Sequence, residues 1–176
     1  MNRSDVKEGL RGGLIIALSS APFGLLFGAV AVDNGLSFLE TLLMSATVYA
    51  GASQLVGIEL FGQRVEPWLV VLSVFAVNFR HILYSAALAK FIRHYSPLQK
   101  ALAFFLLVDP QFAEAVRRGE GGQGVSFSWY FGFGSVIYVS WSIATMIGAW
   151  FGKMIGDPAS IGIDILLPVY FLGMVL

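Results

Sequence analysis

Between Pro67 and Ala89 the chain is almost wholly apolar, and its one fixed charge, Arg80, sits beside His81 near the middle of the run. At about 1.5 Å per helical residue, a helix over this run matches a hydrocarbon core of about 30 Å and places both side chains close to the midplane. A charge at that depth is expensive unless it faces a polar or wet interior. The stretch Asn78-Phe79-Arg80-His81-Ile82-Leu83-Tyr84 is therefore both the tightest constraint on the fold and the first candidate for function.

Composition agrees with a membrane chain. Of 176 residues, 57% are hydrophobic and only 12% charged, against about 25% charged in soluble domains, and mean hydropathy is +0.76. Formal net charge is zero and the Lys and Arg residues are scattered, so no basic field for nucleic acid is visible. The lack of cysteine excludes disulfides, thiolate metal sites and cysteine nucleophiles, and two histidines are too few for a histidine-rich metal cluster, so neither a metal nor a cofactor is expected. No His-Glu-x-x-His or Gly-x-Ser-x-Gly motif supports an intramembrane enzyme. The apolar run from Gly12 to Val32 is uncharged and longer than a signal-peptide core of about 7 to 15 residues, which reads as a retained helix. The expected fold is all-α: a polytopic integral membrane helical bundle forming one domain over 1–176. About five to six hydrophobic segments are expected, near 12–32, 41–58, 67–89, 97–116, 125–151 and 161–176, some of them broken or re-entrant.

Within the first segment, Gly24-Leu25-Leu26-Phe27-Gly28 has the small-xxx-small spacing of a close helix contact, and Pro22 after Ser19-Ser20-Ala21 predicts a kink. Asp33-Asn34-Gly35 signals a turn. The second segment is rich in small and hydroxyl residues from Met44 to Gln54, so it should face helices or water rather than lipid. It reads either as a buried interface helix or as an unwound stretch at Ala50-Gly51-Ala52 that offers backbone groups to a solute. Ser45, Gly51, Ser53 and Gln54 are candidate binding residues on the second reading. In the third segment Arg80 is either tied to an acidic residue on a neighbouring helix or a seat for a substrate carboxylate, which the planar guanidinium fork matches. His81 has an ordinary pKa near neutrality and suits proton coupling, or holds backbone together as a neutral ring. Ser96-Pro97 opens a fourth segment that Asp109-Pro110 interrupts. Either a crossing helix is broken there, bringing Asp109 towards Arg80, or a short hairpin precedes a surface helix and Asp109 is only a cap. Glu114 is a further acidic candidate for proton coupling, although it lies nearer the basic end at Arg117-Arg118. The glycine-rich stretch 119–124 is a linker; no Gly-Lys-Ser/Thr follows to make a phosphate loop. The last apolar run reaches Leu176 without a cap, so either the helix ends there or the sequence lacks its natural continuation. Arg3, Lys7 and Arg11 in the N-terminal tail place that terminus in the cytoplasm.

Taken together, Ala21-Pro22-Phe23-Gly24 with Phe27-Gly28, the run from Met44-Ser45 to Ser53-Gln54, Asn78-Phe79-Arg80-His81-Ile82-Leu83-Tyr84 and the region from Asp109 to Ala113 resemble the AzlC family, the large subunit of bacterial and archaeal branched-chain amino acid exporters. The resemblance covers nearly the whole chain. It implies export of hydrophobic L-amino acids across the cytoplasmic membrane with a small AzlD-type membrane subunit, driven by the proton gradient, and it allows for a homo-oligomer. Arg80, Asn78, Tyr84 and Asp109, with Ser45, Gly51, Ser53 and Gln54, would handle the substrate; His81, Asp109 and Glu114 would move the proton. Family members often carry an acidic residue after the aspartate, where this chain has Pro110, which removes a carboxylate pair at that point. A non-transporting membrane scaffold or regulatory subunit is the competing reading, with the same residues as structural ties.

Overall fold

The computed structural model describes residues 2–152, and the expected sixth segment at 161–176 lies outside them. The described residues form eight helices and no strand: α1 (Arg3–Asp33), α2 (Phe38–Val48), α3 (Gly51–Gly62), α4 (Pro67–Asn78), α5 (Arg80–Ala89), α6 (Pro97–Phe105), α7 (Asp109–Glu120) and α8 (Phe127–Gly152). Arg3–Asp33, Pro67–Ala89 and Phe127–Gly152 are long and apolar enough to cross a membrane. The chain is an all-α membrane protein. It divides into two compact units, one built on residues 2–19 and 79–140, the other on 20–78 and 141–152 of the described part.

In the first unit, helix α1 starts nine residues before the apolar run does. The sequence places the helix start at Gly12, yet α1 begins at Arg3, because the polar tail supplies its own N-terminal cap: the Asn2 side-chain oxygen accepts the Ser4 N–H at 3.2 Å. Glu8 then takes Arg118 of α7 as its ion-pair partner, and the Arg118 guanidinium lies over the Trp129 ring. Close approach to α8 requires glycine at two positions: a Cβ on Gly9 would collide with the backbone of Trp129, and one on Gly13 with that of Phe133. Trp129, Tyr130 and Phe133 fill the interior of this unit with Leu88 and Ile92. Two buried polar ties cross it. The Tyr130 hydroxyl donates to the Ala103 carbonyl at 3.0 Å, and Gln111 donates through Nε2 to the Tyr130 carbonyl at 3.0 Å. Ser96 and Gln99 close a capping box at the start of α6, with Pro97 where the proline-first pattern expects it.

In the second unit, the glycine pair of the first segment is a packing face. A Cβ on Gly24 would stand 2.9 Å from Ala144 Cβ, one on Gly28 would meet the backbone of Thr145 and Ala149, and one on Gly148 would meet that of Leu25. Gly35, at φ +93°, makes the turn after α1. Ser37 and Glu40 then form a capping box that starts α2, Ser37 N–H donating to the Glu40 carboxylate at 2.7 Å. Those two bonds hold the exposed Glu40 carboxyl below its ordinary value of 4.5. The second segment is not one helix. It breaks at Tyr49, which is left-handed at φ 43° and ψ 47°, and Ala50, and restarts as α3. α3 and α4 form a hairpin whose turn includes Arg64 at φ 56°.

Candidate functional site

The third segment is interrupted beside its charge. α4 ends at Asn78, Phe79 stands between the helices, and Arg80 is the first residue of α5. From that position Arg80 Nη2 reaches Asp109 Oδ2 at 3.1 Å. The other carboxylate oxygen, Oδ1, accepts the Tyr84 hydroxyl at 2.8 Å. Tyr84 lies one helical turn after Arg80, so a single face of α5 supplies both donors. The fourth segment is broken as well, between Phe105 and Asp109, and Asp109 opens α7. Its carboxylate caps nothing: the N-cap position is Val108, which makes no side-chain capping bond. Asp109 is thus beside Arg80, as one of its two readings expected, although no candidate span among the described residues covers α6 and α7. The side chain of Arg80 is 18% exposed and that of Asp109 35%, so the pair is half-enclosed and open enough to be reached.

Two rings complete this cluster. Tyr84 stacks on Phe112 with centroids 4.2 Å apart and planes 11° from parallel, and His81 meets Tyr84 edge-on at 5.6 Å. Phe112 lies one turn beyond Asp109, so α7 contributes an acid and an aromatic wall from one face. The sequence reading missed Phe112, one of fifteen phenylalanines. Glu114 is elsewhere: it is paired with Arg117 one turn on, at 31% side-chain exposure. Pro110 follows Asp109 where a second carboxylate was in question, and the cluster has one acid. Among the described residues no three His, Cys, Asp or Glu side chains gather to hold a metal ion.

The remaining predicted residues belong to the second unit, where Ser45, Ser53, Gln54 and Asn78 are hydrogen-bonded. Ser45 Oγ and Thr145 Oγ1 share a hydrogen bond of 2.9 Å between α2 and α8. Ser53 donates to Asn78 Oδ1 at 2.7 Å, tying the start of α3 to the end of α4. Gln54 Oε1 accepts the Ala50 N–H at 3.2 Å across the break that precedes Gly51. Ser45, Ser53 and Gln54 are all fully enclosed. Thr145 was missed because a lone threonine in an aromatic-rich helix carries no periodic signal, and Tyr49 because its left-handed backbone is not a tyrosine preference.

The chain has known relatives. The family described as "AzlC protein" matches residues 16–155. An "Inner membrane protein YgaZ" of Escherichia coli (strain K12) is 32% identical over 96% of this chain and 71% of its own length. An "Uncharacterized membrane protein" of Archaeoglobus fulgidus is 29% identical over 84% of this chain, which spans 63% of that relative. No solved structure matches the chain. With a family match over most of its length and a relative above 30% identity on nearly all of it, the chain belongs to the AzlC family of membrane proteins.

Proposed function

We propose that the protein is a transport subunit that exports branched-chain or other hydrophobic L-amino acids through the cytoplasmic membrane, coupled to the proton gradient and working with a small AzlD-type subunit. Family membership supports a transport-related role in a membrane, and no catalytic chemistry is assigned to the chain. One observation carries the reading to a site: a guanidinium, a carboxylate and a phenol meet at two helix starts, beside an apolar segment long enough to span. A zwitterion needs complementary charges, and Arg80 and Asp109 provide them, the first for a carboxylate and the second for an ammonium. Their mutual bond is the resting state, exchanged when the solute arrives. Tyr84 orients Asp109, and Phe112 walls it with an apolar surface. Asn78, Ser45, Gly51, Ser53 and Gln54 are the further residues proposed to offer polar groups to the substrate. Proton movement is assigned to His81, Asp109 and Glu114, of which His81 and Asp109 belong to the ring and carboxylate cluster around Tyr84. The N-terminus is placed in the cytoplasm.

The pairing itself favours a second reading. Arg80 with Asp109, Ser45 with Thr145 and Ser53 with Asn78 are all satisfied polar ties of the kind a non-transporting scaffold would retain. Charge-neutral replacement separates the two. The double variant Arg80→Gln/Asp109→Asn keeps hydrogen-bonding capacity without charge, so a scaffold inserts and assembles normally, whereas a transporter inserts normally and loses efflux of L-leucine from loaded cells. Efflux at the parental rate in that variant overturns the site.

A further inference from the structure

We infer that the start of α3 is a seat for a small monovalent anion, a free carboxylate or a chloride ion. α3 follows the break at Tyr49 and Ala50, and its first intrahelical hydrogen bond runs from Gln54 N–H to the Ala50 carbonyl at 2.9 Å. The N–H groups of Gly51, Ala52 and Ser53 precede that bond, and among the described residues none of them has an acceptor. A helix start normally meets such donors with an N-cap side chain or with bulk water. Here the N-cap is Ala50, which has no side-chain acceptor, and most of the start is enclosed: Ala50 is 6% exposed, Ala52, Ser53 and Gln54 are at 0%, and Gly51 is partly exposed.

Gln54 supplies the independent observation. Its side chain folds back over the first turn so that Oε1 accepts the Ala50 N–H at 3.2 Å. That bond fixes the carboxamide's orientation, since the opposite one would set an N–H donor against another. Nε2 is thereby held at the same helix start, buried and without a hydrogen-bond partner among the described residues. The Ser53 hydroxyl donates to Asn78 Oδ1 at 2.7 Å, and among the described residues none of the three N–H groups donates to it. Three backbone donors and one amide donor are thus gathered at one point with no acceptor, at the positive end of a twelve-residue helix that has no acidic residue in its first turn.

The donor set also selects the charge of its occupant. From Phe38 to Gly62 the chain has no lysine, arginine or histidine. The helix end contributes a field at the seat equivalent to about half an elementary charge. A single negative charge suits that field, whereas a phosphate or sulfate dianion would be left without a counter-charge. Neutral N–H donors at a helix end can hold a carboxylate or halide without the full opposite charge that a lysine would bring. The anion seat stands by itself and does not rest on the transport reading.

Thermal unfolding of the detergent-purified chain, followed by intrinsic fluorescence in chloride-free potassium sulfate, tests the seat. Sodium 4-methylpentanoate and sodium chloride are titrated separately, with neutral 4-methylpentanamide as the shape control. The expected result is a saturable rise in Tm with one or both anions and none with the amide. That rise is weakened at least about tenfold in apparent affinity in Gln54→Leu, and abolished in Gln54→Glu, which places a carboxylate in the seat from within. Which anion acts identifies the source: the carboxylate alone points to a solute, chloride alone to a resident ion. If Gln54→Leu fails to fold, Gly51→Pro removes one donor at a position where proline is tolerated, and the same weakening is expected. No saturable rise with either anion, or an equal rise in Gln54→Leu and Gln54→Glu, overturns the proposal. Because the readout needs no transport, loss of efflux and loss of anion binding are separate results.

Discussion

Asp109 commits one carboxylate oxygen to Arg80 and the other to Tyr84, so a single Asp109→Asn change weakens two bonds at once. Hydrogen bonds to a charged group contribute about 1.5–3 kcal/mol each, so a side chain that can no longer make such a bond to the incoming solute costs about tenfold or more in apparent affinity. Efflux of L-leucine is expected to fall by at least that factor in Asp109→Asn and Arg80→Gln, measured as initial rates at matched membrane levels. Tyr84→Phe removes the bond to Asp109 but keeps the stack on Phe112, so its efflux should fall by less than that of Asp109→Asn. Much of this cluster was legible in the sequence because charge is so rare there: Arg80 within an apolar run required a partner, and Asp109 at a helix-start signature was available. Phe112 was not legible, since one aromatic among fifteen phenylalanines looks like any other until a backbone places it. The Ser45–Thr145 hydrogen bond was not legible either, because it depends on a segment one hundred residues away.

At the scale of helices, local chemistry decided the starts and tertiary packing the breaks. Ser37 with Glu40, Ser96 with Gln99, and Pro67 and Pro97 all mark helix starts through short-range bonds or a preset φ. Ser37→Ala should lower stability by about 1 kcal/mol, read as a drop in Tm of the purified chain. The Glu40 carboxyl is held below its ordinary value of 4.5, so its contribution is present above that pH and lost as pH falls through the lower folded value. Ser37→Ala should therefore lose part of the acid-side fall in Tm that the parent shows. The break at Tyr49 was foreshadowed by the small residues around it, but its location one residue before Ala50 depends on a left-handed tyrosine. α1 also ran further than its apolar stretch predicted, because polar residues are good helix formers when Asn2 caps them. The glycine faces were read correctly as packing. Gly28→Val, whose side chain would meet the backbone of Thr145 and Ala149, should cost about 1–3 kcal/mol and reduce recovery of monodisperse protein, while Gly35→Asn in the open turn should be tolerated.

For the whole molecule, the low charge content and the spanning runs made membrane residence and an all-helical fold readable from composition and periodicity. What the sequence did not indicate is the partition into two units, each drawing on α1 and α8, because such a division depends on which halves of long helices find neighbours. Orientation is open to a clean test, since the chain has no cysteine. A single cysteine replacing Ser4 should be labelled by a membrane-impermeant maleimide in inverted vesicles and not in intact cells. The central claim, a zwitterion site at Arg80 and Asp109 that moves hydrophobic amino acids, is tested most directly by efflux. Cells expressing the chain with its small AzlD-type subunit are loaded with labelled L-leucine and followed with and without a protonophore. Saturable efflux that collapses with the proton gradient, and is lost in Arg80→Gln/Asp109→Asn despite normal insertion, is the predicted result; efflux that is absent in the parent or unchanged in the double variant would contradict it.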